Sequence, residues 1–355
     1  MRTHSLAFLL VAAVAGCKGH QELISKLEHD DPATATDGSG SAEDIGPTTA
    51  EEAAQRVAAV FPNGPATDKF EVKAAITPIA TTVVDPTSAW VIEIPFRTPL
   101  TSEAILDALG DSPTTNTSIS FAGRRGAQPW VNIDDVEDEA TFDRIAVSVA
   151  LVDVDLVLGA DDVTAVRSWL DGAVTKLHAS APNYGKPQAA VARAATVATV
   201  MREFDDQGTI TVTIQREGEA PIPQKLAWDA LYSAGFSMRE YGMMDWLPTD
   251  GIWGVGAFNE SLDGIWHPEE AIKPGATFED IELHVDLLRA PQPDRMVEAM
   301  LQEAHYIAKR VGGHVIDDET HAALDEAALR KRVAGRLKLL TANGIVPGSD
   351  LATAM

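Results

Sequence analysis

The stretch from Met296 to Asp318, MVEAMLQEAHYIAKRVGGHVIDD, constrains this chain more than any other. Met296, Met300, Ala304, Ile307, Ala308 and Val311 recur at helical spacing, which predicts a helix of about five turns that must bury one side. Pro293 and Asp294 stand at its start, where a proline and an acidic group facing the helix dipole are both favoured. Gly312 and Gly313 stop it in the manner of a left-handed cap. The short apolar run from His314 to Ile316 then reads as a strand.

Strands for this helix to pack on precede it. Thr209 to Gln215, Ser237 to Met243, Ile252 to Phe258 and Ile281 to Leu287 read as strands, Pro223 to Ala234 as a helix, and Leu324 to Leu340 as a last helix. Alternation assigns Ile210, Val212 and Ile214 inward and Thr209, Thr211 and Thr213 outward. In the later strand Ile281, Leu283, Val285 and Leu287 face in, which leaves Glu282, His284 and Asp286 out.

The first half shows a similar order. Ala89 to Phe96 alternates Trp90, Ile92, Ile94 and Phe96 against Val91 and Glu93, and Thr101 to Leu109 is a capped helix. Ser118 to Ala122 and Pro129 to Ile133 are short strand candidates, and Asp143 to Val152 alternates Ile145, Val147, Val149 and Leu151 against Arg144, Ala146 and Ser148. Helices are expected over Asp161 to His178 and Gln188 to Phe204. AILDAL (Ala104 to Leu109) matches LAWDAL (Leu226 to Leu231) at an offset of about 120 residues. These parallels imply a degenerate internal duplication, two tandem copies of one α+β unit over residues 69–206 and 207–346, each an antiparallel sheet with helices on one face; a shared order of elements in unrelated domains is the alternative, since the literal identity is confined to a few residues.

The N-terminal region has a different composition. Arg2 and His4 precede the apolar run Leu6 to Val14 and then Ala15-Gly16-Cys17, where Cys17 is the only cysteine of the chain. The run is too short for a membrane span, which needs about 20 apolar residues. The layout is that of a bacterial lipoprotein signal, with residues 1–17 forming the signal and lipobox and Cys17 the lipidation site; a plain secretory signal with an incidental cysteine is the alternative. Either way the chain is exported, and without a second cysteine the fold rests on burial alone. Residues 18–68 collect Asp, Glu, Thr, Ser, Gly and Pro, which makes an acidic flexible tether. A helix from Thr48 or Thr49 to Val60 is expected to interrupt it, with Glu51 and Glu52 in its first turn and Pro62 as its stop.

LAWDALYSAGF (Leu226 to Phe236), IKPGATF (Ile272 to Phe278), MLQEAHYIAKRVGG (Met300 to Gly313) and VIDD (Val315 to Asp318) together resemble the C-terminal domain of the ZipA family. That family binds the tail of the tubulin-like division protein FtsZ, and the likeness spans roughly Gly208 to Gly344. It implies a non-enzymatic binding role in cell division or envelope organisation, with a partner peptide held in a shallow groove on the open sheet face. Carried onto that groove, Thr209, Thr211, Tyr241 and His284 fall where the family is mostly apolar. Trp253, with Trp246 and Trp266 nearby, is expected to restore apolar contact there, or else to join the core. ZipA itself is cytoplasmic, whereas a lipoprotein facing the periplasm or on the outer membrane would not meet FtsZ.

Other functions find less support. The net charge of −25 argues against nucleic acid, whose binding needs a basic patch, and suits solubility or a basic partner. Gly254-Val255-Gly256 lacks the third glycine and the following helix of a dinucleotide loop. His314, Asp317, Asp318 and His321 can be drawn as a metal cluster, but Val315 and Ile316 are expected to be core, so no metal or other cofactor is assigned. The acidic run from Asp134 to Glu139 lacks the spacing of a calcium loop. No nucleophile is paired with a base in the sequence, so no catalytic residues are named. A structural envelope spacer remains as the alternative to a peptide-binding adaptor.

Overall fold

A computed structural model describes residues 47–62, 70–74, 76, 82–153, 156–248, 253–259 and 266–353. The signal, Cys17 and most of the stretch read as a tether lie outside the described residues. The protein is mixed α/β with antiparallel sheets. Its described residues divide into two compact units, one containing residues 82–205 and those from 340 on, the other residues 206–339 with the described residues from 47 to 76.

The first described helix, α1 (Ala50–Val60), belongs to the second unit. It starts where the sequence places it: Thr49 Oγ1 accepts from the Glu52 amide at 3.1 Å, and the Thr48 amide donates to the Glu52 carboxylate at 2.8 Å. The Thr49 hydroxyl satisfies one orphan amide of the first turn, and the Glu52 carboxylate ties down the residue before the cap. Ala53, Val57 and the following Phe61 are buried, and Phe61 lies 5.9 Å from the ring of Trp228.

In the first unit β1 (Ala89–Thr101), β2 (Ile119–Arg124), β3 (Val131–Asn132) and β4 (Thr141–Ala150) form one sheet in the order β1-β4-β2-β3. The alternation holds, with Trp90, Ile92, Ile94, Ile145, Val147 and Val149 buried on one face. Helix α2 (Ser102–Leu109) leaves β1 at once, capped by Thr101, and stops at Gly110 with φ +62°. A small hairpin, β5 (Val152–Asp153) and β6 (Leu156–Val157), leads to α3 (Ala160–Lys176) and α4 (Pro187–Gly208). The outward face is not solvated as half-buried strands would be: Ala122, Ala146 and Ser148 on it are buried too.

The second unit has a seven-stranded sheet. Its strands are β7 (Thr209–Arg216), β9 (Ser237–Met238), β10 (Met244–Trp246), β11 (Val255–Phe258), β13 (Asp280–Asp286), β14 (Gly313–Asp317) and β15 (Ala322–Ala323), in the order β15-β14-β7-β13-β11-β10-β9. Between them β8 (Ile222–Pro223) and β12 (Thr277–Phe278) pair with each other. Helix α5 (Gln224–Ala234) and the opening helix, α6 (Pro293–Val311), pack together, tied by the Arg310–Asp229 ion pair. The stripe Met296, Met300, Ala304, Ile307, Ala308 and Val311 is buried, and Gly312 caps α6 at φ +72° with its amide on the Ala308 carbonyl. α6 lies on the face carrying Ile210, Val212, Ile214, Leu283 and Val285, all of them buried. The chain continues through α7 (Glu326–Ala342) to α8 (Asp350–Thr353), whose Leu351 and Ala352 are buried in the first unit.

The two units share a frame. Each contains a strand followed by a short helix and a later strand followed by a long one, and those two strands pair antiparallel, β1 with β4 and β7 with β13. They differ beyond it: β4 is flanked by the strand that starts the next hairpin, β13 by β11, and only β7 has a further neighbour, β14.

Candidate functional site

The helices of the second unit occupy one sheet face, and alternation sends the remaining side chains to the other. Register then places Ser237, Asp245, Gly256, His284 and Thr211 in a row across β9, β10, β11, β13 and β7. A second row joins Phe258, Glu282, Thr213 and Ile316, and a third joins Thr209 to Asp286. Thr209, Thr211 and His284, picked out from the sequence, are therefore neighbours on one face, and each is half-buried.

His284 is seated by a glycine. A β-carbon on Gly256 would run into Nε2 and Cε1 of the imidazole, so the ring lies over the bare backbone of β11. Gly254 is small for a related reason, since a β-carbon there would meet the Trp246 carbonyl oxygen. The two glycines of Gly254-Val255-Gly256 thus serve close approach within the sheet.

Past β13 the chain turns back on Asp286. One oxygen of its carboxylate accepts from the amides of Leu288 and Arg289 at 2.8 and 3.0 Å, and the other takes the Arg289 guanidinium at 2.7 Å. That guanidinium, 4 % exposed, sits 5.2 Å from the centre of the Trp253 ring, a cation–π contact. Trp253 is thereby fixed at the end of the face beside Asp286. Trp266 belongs to the core: it is fully buried, donates from Nε1 to the Ala257 carbonyl at 2.9 Å, and meets Trp228 and Phe278 edge-on. Trp246 pairs with Val255 on the helical face and packs over Gly235.

Tyr241 is placed differently from the expectation. The run from Ser237 to Met243 is not one strand: after β9 the chain makes a 3-10 turn at Glu240–Gly242 before β10. Gly242, at φ +70°, supplies the left-handed residue, and the Arg239 amide closes the turn on the Met243 carbonyl at 2.6 Å. Alternation therefore assigns Tyr241 to neither face, and its side chain lies outside the described residues.

Two apolar members of the face were not legible as such. Ile316, expected in the core, pairs with Thr213 and faces outward, while Val315 and Asp317 turn in. Phe258 shares the parity of Gly256, the signal that would have found it. Asp317 is buried and held by Arg332 at 2.9 Å, and Asp318 accepts from Thr213 Oγ1 at 3.3 Å. His314 and His321 are exposed. Among the described residues no group of three or more His, Cys, Asp and Glu is arranged to hold a metal.

The electrostatics of the face are acidic. Among the described residues it carries Asp245, Asp280, Glu282 and Asp286, with Arg289 held by Asp286 and the charge of Arg239 acting on Asp245. Burial pushes the Asp245 carboxyl up to about 6, opposed by the charge of Arg239. Such a surface offers hydrogen-bond acceptors, a seated imidazole and three apolar side chains. Compared with known proteins, the chain matches no family model and no curated protein.

Proposed function

We propose that this protein is a membrane-anchored, non-enzymatic binding protein built of two tandem ZipA-like domains, acting in cell division or envelope organisation. Its partner is a protein or peptide segment laid across the open sheet face of the second unit. The observation that carries this reading is the row Ser237, Asp245, Gly256, His284 and Thr211 on the face opposite α6, flanked by Phe258, Ile316 and Trp253. The acidic surroundings favour a partner with basic groups, because complementary charge raises the association rate and rejects wrong partners. Among the described residues no helix is long and apolar enough to cross a membrane; in this reading the anchor is a lipid on Cys17. With Cys17 outside the cytoplasm, the partner is an envelope protein rather than FtsZ.

One observation favours a second reading, a structural spacer of the envelope. The exposed chemistry of the sheet face is mostly polar, and the matching face of the first unit is floored by small residues. A photo-crosslinking amino acid at Thr211, Phe258 or Lys331 of the full chain, in its own cells, separates the two. The adaptor reading expects the same product from Thr211 and Phe258 and none from Lys331 on α7. No product from the sheet positions, or identical products from all three, would favour the spacer.

A further inference from the structure

The outward face of the first unit's sheet is built of small side chains. Register places Val91, Ser148 and Ser120 in one row and Ala89 with Ala150 in the next, where the Ala150 amide donates to the Ser118 carbonyl at 3.0 Å. Large residues fill the opposite face, so β4 alternates Ile145, Val147 and Val149 with Ala146, Ser148 and Ala150. Over this shallow floor Val152 and Leu351 of α8 form walls, and they enclose a pocket of about 200 Å³.

The polar lining comprises Asp85, Ser88, Ser118, Ser120, Ser148 and Asp153. Ser148 is only 7 % exposed and lines the pocket. Both carboxylates are held by their surroundings. Asp85 accepts from the Thr87 amide and hydroxyl at 2.8 Å, and Asp153 accepts from the Ser118 amide at 3.0 Å. Their remaining lone pairs are fixed acceptors. Among the described residues that line the pocket there is no Lys, Arg or His and no aromatic ring.

We propose that this pocket binds a small polyhydroxylated ligand of monosaccharide size that carries no anionic group. Serine hydroxyls and carboxylates supply alternating donors and acceptors, which is what vicinal hydroxyls require. A phosphate or carboxylate would be buried beside Asp85 and Asp153 without a counter-charge, which is strongly unfavourable. An amino group on the ligand would be tolerated and favoured. This site is independent of the sheet face of the second unit.

Calorimetric titration of the full chain with glucose, glucosamine and glucose phosphate tests it. The expected result is saturable binding of the first two, glucosamine at least as tight as glucose, and binding of the phosphate weaker by at least tenfold. Ser148→Leu fills the pocket and should abolish binding. Ser120→Leu, at an exposed position on the same floor, should do so with the fold intact even if the buried substitution is not tolerated. The proposal is overturned if neither sugar saturates, so that the pocket holds water only. It is equally overturned if the phosphate binds as well as glucose, or if binding survives Ser120→Leu.

Discussion

Glu303 lies on the buried stripe of α6 between Met300 and Ile307, fully buried, and neither of its carboxylate oxygens has a hydrogen-bond partner. Burial holds its pKa well above the ordinary carboxylate value of 4.5, so the folded chain keeps the proton where the unfolded chain loses it. Below the ordinary value both states are protonated and the group is neutral in the balance. As pH rises past it the unfolded state ionises first, and stability falls by about 1.4 kcal/mol per pH unit until the folded-state pKa is reached. Glu303→Gln removes that slope, so urea midpoints at pH 5 and pH 8 should lie closer together than in the parent, with the variant the more stable at pH 8. An unchanged difference between the two pH values would show that Glu303 is already ionised in the fold. Asp245, raised to about 6 by burial, keeps its own smaller slope in both proteins. The helical stripe was legible in the sequence because apolar residues recur along it; the glutamate inside the stripe was not, since periodicity reports which side chains are apolar and not what else shares their face. His284 shows the same limit: alternation assigns it to a face, but only the register over Gly256 shows where its ring rests.

β1 is the edge strand of its sheet, pairing only with β4, and an open edge invites pairing with another chain. The connection between α3 and α4 covers it. The Ser180 amide donates to the Pro95 carbonyl at 3.0 Å, the Asn183 amide to the Glu93 carbonyl at 2.9 Å, and Trp90 Nε1 to the Tyr184 carbonyl at 2.9 Å. Asn183→Pro deletes the amide that caps Glu93 and should release this stretch of edge. The expected outcome is a concentration-dependent rise in light scattering on mild heating, with a loss of stability of about 1 kcal/mol. Scattering equal to the parent would mean that the remaining bonds protect the edge alone. At this scale the sequence is most informative: both sheets' long strands and the helices α1 to α7 are marked by period, and α1, α2 and α6 by their caps as well. It fails where one backbone conformation decides, as at Gly242, whose positive φ divides an apparent strand, and where two apolar neighbours compete for one face, as Val315 and Ile316 do. The cover over β1 was out of reach, because it depends on carbonyls whose partners come from a loop almost ninety residues away.

At the scale of the whole chain, the described segments on either side of the two sheets go to different units. Residues 340–355 belong to the first unit, where Arg193 donates to the Gly344 carbonyl at 3.3 Å and Leu351 is buried, while the described residues from 47 to 76 belong to the second. Composition alone gives no sign that residues 47–62 pack, because what they pack on, Trp228, lies far along the chain. The packing is nonetheless specific. Phe61 meets Trp228, Phe70 stacks on Tyr306 at 4.5 Å, and the Phe70 amide donates to the Ser233 carbonyl at 2.8 Å. Removing a buried aromatic side chain typically costs about 3 to 5 kcal/mol, and in a unit of this size each kcal/mol shifts the thermal midpoint by roughly 2 to 4 °C. A chain that begins at Pro47 should therefore keep the midpoint of the second unit, whereas one that begins at Phe70, without α1 and Phe61, should lose about 6 °C or more. Phe61→Ala in the full chain should reproduce most of that loss, which separates the packing of one ring from a general effect of shortening. Equal midpoints for the two shortened chains would show that α1 rests on the second unit without stabilising it, and the unit would then be complete from residue 70 onward.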